Sequence, residues 1–122
     1  MTDTGEREKK MDATQLYSST LEQLNQIIIK MTSPEWNASV QASPPDQKQQ
    51  VLGELLRVQH ARLVLGNAVL QDISEDLKAN EKDLLDGQAA VQAALDALAV
   101  VQNVLTAVSS LINVVARIVP IL

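Results

Sequence analysis

The chain has 122 residues, enough for one modest hydrophobic core, and 46% of them are apolar. It carries no cysteine, a net charge of −5 and a pI near 4.7, which excludes disulfides and thiolate metal sites and argues against nucleic acid and against capture by anionic lipid, both of which need a basic face. Aromatics amount to Tyr17 and Trp36 alone, and Gly and Pro number four each, so the composition fits an all-α protein with an aliphatic interior and not a turn-rich β protein.

In chain order, residues 1–11 are mixed-charge and polar and read as a flexible lead, without the apolar stretch of a secretory signal. The rest, 12–122, reads as a single helical-bundle domain. The first helix is predicted over 12–31, with Asp12 as cap and Leu16, Leu21, Leu24, Ile27, Ile28 and Met31 on one face. Ser33-Pro34 ends it and starts a short helix over 34–41, anchored by Trp36. "ASPPDQ" is a second stop and start, in which Ser43 caps and Pro44 and Pro45 occupy a first turn.

Beyond Asp46 every seventh residue is a branched aliphatic: Leu56, Leu63, Leu70, Leu77, Leu84, Val91, Leu98, Leu105, Ile112 and Val119. Such a repeat predicts helices packed side by side. One unbroken rod over this span would reach about 110 Å, too long for an ordinary domain. The two candidate turns are Asn80 and Asp86-Gly87, and the reading favours Asn80. It predicts a long antiparallel hairpin, 46–79 and 82–119, with Leu56 facing Leu105 and Leu63 facing Leu98. Gly66 and the alanines of "QAAVQAALDALA" then serve close helix approach.

The stretch from Ala97 to Ala116 has no charge over twenty residues, but six of these are polar. Gln92, Asp96, Asn103, Thr106, Ser110, Asn113 and Arg117 form a thin polar line at steps of three and four. A broad apolar arc with one polar edge describes first of all the central helix of a bundle. In the predicted hairpin its end overhangs the partner helix, and the expected interaction surface is Leu105, Val108, Leu111, Ile112, Val115, Ile118 and Val119.

No residue pattern names a reaction or a cofactor. His60 stands alone, the carboxylates Asp72, Glu75, Asp76, Glu81, Asp83 and Asp86 are interspersed with Lys78 and Lys82, and the serines have no glycine-rich elbow. The expectation is a non-enzymatic interaction or assembly module, cytoplasmic, binding a second copy or another helical protein and no nucleic acid. The alternative is a membrane-associated protein that inserts the 97–119 segment.

Overall fold

A capping box opens the first helix of the computed structural model, which describes residues 12–97 and 100–120. Gln15 N–H donates to Asp12 Oδ1 at 2.8 Å, and Asp12 N–H donates back to Gln15 Oε1 at 3.0 Å. The described residues form six helices and no strand: α1 (Ala13–Lys30), α2 (Pro34–Gln41), α3 (Pro45–Asn67), α4 (Leu70–Ala79), α5 (Glu81–Leu95) and α6 (Val101–Val115). The all-α fold class follows directly. Their buried apolar side chains make one cluster, so they share one core.

Ser33 joins α1 to α2. Its hydroxyl donates to the Lys30 carbonyl at 2.7 Å and accepts from Trp36 N–H at 3.2 Å, closing one helix while capping the next. Pro34 fills the first position of α2, and Trp36 drops into the core. The second joint differs from expectation. Pro44, extended at φ −62° and ψ 157°, is the N-cap of α3, and the Ser43 hydroxyl instead donates back to Ser39 O at 3.0 Å. A residue before proline is driven out of the helical region, so Pro45 sets where α3 begins.

Neither long helix of the predicted hairpin is continuous. The 46–79 rod breaks at Ala68 and Val69, which are extended with ψ of 147° and 119°. The 82–119 rod breaks between Leu95 and Val101, and α6 gives way to a turn after Val115. The break at 68–69 resets the helical phase. Upstream of it the buried ridge is Val51, Val58 and Leu65, also seven apart, while Leu56 and Leu63 face outward. Downstream, Leu77, Leu84 and Val91 are buried as the repeat requires, and so are Leu105, Ile112 and Val119. Leu70 is half-buried, and Leu98 lies outside the described residues.

Asn80 is a helix boundary, as expected, but not the reversal of a long hairpin. Its side-chain amide and backbone N–H both donate to Asp76 O, at 2.8 and 3.1 Å, and its own carbonyl accepts from Leu84 N–H. Helices α4 and α5 touch each other little, and both pack on α1. Helix α5 lies antiparallel on α6, the most extensive helix pair among the described residues, so the chain also reverses between these two helices. Gly87, inside α5, faces Leu111, and Arg117 pairs with Asp83 at 2.8 Å.

Turned back once between α3 and α5 and again before α6, the chain brings α6 parallel to α3. Gln47 donates to Gln102 at 3.1 Å, and Arg57 donates to Asn113 at 3.0 Å, a nearly constant offset along both chains. The expected antiparallel facing of Leu56 and Leu105 is therefore wrong. Helix α1 crosses the core on the other side of α3 and antiparallel to it, with Tyr17 Oη donating to Gly66 O at 3.1 Å. It buries Leu16, Leu24, Ile27 and the following Met31 together with one polar residue, Thr20. The Thr20 hydroxyl donates to Leu16 O at 2.6 Å and accepts from Gln88 Nε2 at 3.2 Å, so the buried oxygen is fully engaged.

Candidate interaction surface

Helix α6 answers the question posed by the uncharged C-terminal stretch. Nine of its fifteen residues are buried, Val101, Val104, Leu105, Ala107, Val108, Leu111, Ile112, Val114 and Val115 among them. The expected interaction surface is consequently not a surface. Leu105, Val108, Leu111, Ile112, Val115, Ile118 and Val119 all lie in the core of a single chain. The overhang inferred from an antiparallel partner vanishes once α3 runs parallel to α6 and α5 covers it from the other side. The polar line is real: Gln92, Asp96, Asn103, Thr106, Ser110, Asn113 and Arg117 are all exposed. Among the described residues, no helix is long and apolar enough to cross a membrane.

The edge where α3 meets α6 is polar. Arg57 holds it, donating to Glu54 at 3.2 Å, to Ser109 at 3.5 Å and to Asn113 at 3.0 Å. Gln102 extends the seam, accepting from Gln47 and donating to Thr106 at 3.3 Å. Burial pushes the Glu54 carboxyl above its ordinary range, and the Arg57 guanidinium beside it only partly offsets that. An open cleft runs along this seam past Gly53, Leu105 and Ser110.

The opposite edge of α3 is different. Leu52, Leu56 and Leu63 are 63%, 66% and 59% exposed, while the smaller Val51, Val58 and Ala61 fill the core. Steps of four and seven place the three leucines on one line of the helix. At Leu63 that line reaches the groove between α3 and α1, where Leu63 and Arg62 face Ser18, Leu21, Glu22 and Asn25. The same edge of α1 continues one turn on to Ile29, which is half exposed. Leu63 also borders a second, mainly apolar groove at the 68–69 break, with Val64, Val69, Ile73, Ile118 and Val119. Exposed aliphatic side chains thus recur from Leu52 to Val69.

Leu56 and Leu63 carry the signal that the heptad reading detected, though it assigned them to the core, and Leu52 was missed. Two ridges seven apart, one of leucines and one through Val51, Val58 and Leu65, are interleaved on α3. Leu52, Leu56 and Leu63 are on the outside, and Leu65 is buried. Elsewhere, His60 is exposed. The acidic cluster around Asn80 is laced with the ion pairs Lys78–Glu81 at 2.9 Å and Lys82–Asp86 at 2.7 Å. Among the described residues no group of three or more His, Cys, Asp or Glu is placed to hold a metal ion. Compared with protein-family models, with curated proteins and with solved structures, the chain has no match.

Proposed function

We propose that the chain is a non-enzymatic helix-docking module whose working surface is the outer face of α3. The observation that supports this reading is the line of three exposed leucines on that helix, at 52, 56 and 63, while Val51, Val58, Ala61 and Leu65 fill the core. Burying an exposed leucine against a partner stabilises a complex by about 1.5–3 kcal/mol, so three in line suffice to anchor one helix. The two-groove border adds shape, because Leu63 stands between them and a partner side chain has somewhere to lodge. Using the C-terminal helix as the contact would require lifting Val101–Val115 out of the core, and so would inserting the 97–119 segment into a bilayer.

A photo-activated cross-linking residue at position 56, compared with one at position 92 on the polar line, tests the reading in cells. Discrete protein adducts at 56 that disappear with Leu52→Asp and Leu63→Asp, in a chain whose helical circular dichroism is unchanged, support it. Equal labelling from both positions, or adducts to lipid alone, overturn it.

A further inference from the structure

Charge is segregated across α3, and the segregation describes the partner. The two carboxylates of the helix, Asp46 and Glu54, lie by helical phase on the α6 side, and Glu54 is paired there with Arg57. Lys48, half-buried, and Arg62 lie by helical phase along the α1-side edge of the exposed leucines, and neither is in an ion pair among the described residues. The groove beside them holds one carboxylate, Glu22. In a chain of net charge −5, the apolar face thus has cations along its α1-side edge.

Resting on the docking role of that face, we infer that its occupant is an acidic amphipathic helix of another protein, lying along the α1–α3 groove with its apolar stripe on Leu52, Leu56 and Leu63 and its carboxylates toward Lys48 and Arg62. Oppositely charged flanks set partner choice and encounter rate for helices that pair through an apolar seam. A second copy of the chain is a poorer occupant. Its own α3 face would bring Lys48 and Arg62 toward like charges, and its acidic helices α4 and α5 expose no large apolar side chain.

The probe is a fluorescently tagged synthetic peptide about 20 residues long, roughly 30 Å when helical, with leucines at the two seam positions of each heptad and glutamates at the flanking ones. A lysine-flanked twin is the control, and binding to the full chain is read by anisotropy. The expected result is binding of the glutamate peptide about tenfold more tightly than the lysine peptide at low salt, the gap narrowing as salt rises. Lys48→Glu with Arg62→Glu should invert the preference, and Leu56→Asp with Leu63→Asp should abolish both interactions while the chain stays folded. Equal affinity for the two peptides, both lost with the leucine substitutions, overturns the acidic partner but leaves the docking face. Binding that survives the leucine substitutions overturns both. No binding of either peptide overturns the inference, as does a concentration-dependent dimer that excludes the peptides.

Discussion

Gly87 and Leu111 bring α5 and α6 closer than side chains normally permit. A Cβ added to Gly87 would lie 3.2 Å from Leu111 Cδ1 and 3.7 Å from its Cα. The glycine is therefore kept for the contact between helices and not for a turn, and its cost inside a helix is offset by the close approach of the apolar face of α6. Gly53 is the natural control, since a Cβ there would meet nothing within 4 Å. Gly53→Ala should raise stability by about 0.5–1 kcal/mol through helix propensity alone. Gly87→Val, which adds bulk against Leu111, should lower it by about 1–3 kcal/mol. Chemical denaturation of both variants reads the difference directly. A Gly87→Val protein as stable as wild type would mean that the helices can part without loss.

Substitutions along α3 distinguish the observed register from the one suggested by the leucine repeat. Leu56→Ala and Leu63→Ala remove exposed groups and should change stability by no more than about 0.5 kcal/mol. Leu65→Ala opens a hole in the core and should cost about 2–5 kcal/mol. The ranking inverts if the leucine ridge faces inward, so one set of denaturation curves decides between them.

Helix α3 also marks the limit of what the sequence can tell. Helical periodicity, Ser33-Pro34, the double proline and the Asn80 boundary were legible because each rests on local backbone chemistry. The thin polar line that places one edge of α6 in solvent is legible too. The path of the chain was not. The break at Ala68-Val69 directly follows Gly66-Asn67, a helix-ending pair that the reading assigns to close packing instead, and the stretch from Leu95 to Val101 carries no Gly or Pro to mark its end. With both breaks unseen, one sevenfold ridge appeared to run the whole length. The bare face on α3 was then mistaken for core, and the buried face of α6 for an interaction surface.

Glu54 gives the fold a pH signature. Its carboxyl titrates above the ordinary value of 4.5, first because burial disfavours the charge and despite the lowering influence of Arg57. A raised folded-state pKa means that the folded chain holds the proton more tightly than the unfolded one. This contribution to stability is fully present below the unfolded pKa and is lost as pH rises through the folded one. Glu54→Gln, which cannot ionise, should therefore be at least as stable as wild type at neutral pH. Its advantage should fade as the solution is acidified through the carboxylate range. Denaturant midpoints of the two proteins across that range test the sign, and a variant that is weaker at neutral pH would show that the Arg57 pair outweighs the burial of the charge.

Trp36 supplies both the largest buried side chain and a built-in reporter, since it is the only tryptophan in the chain. It is 1% exposed, and its indole Nε1 has no hydrogen-bond partner among the described residues. Two effects then oppose each other on substitution. Trp36→Phe gives up part of the buried volume but removes an unsatisfied donor whose burial costs about 1–3 kcal/mol. Trp36→Ala empties the site between α2 and the core and should cost about 3–5 kcal/mol. The phenylalanine variant should accordingly lose much less stability than the alanine one, by more than ring volume alone accounts for. Thermal melts followed by circular dichroism give both values, and wild-type tryptophan emission should move to longer wavelength in the same transition. A phenylalanine variant as weak as the alanine one would mean that the indole N–H is satisfied in solution and that its hydrogen bond holds α2 in place.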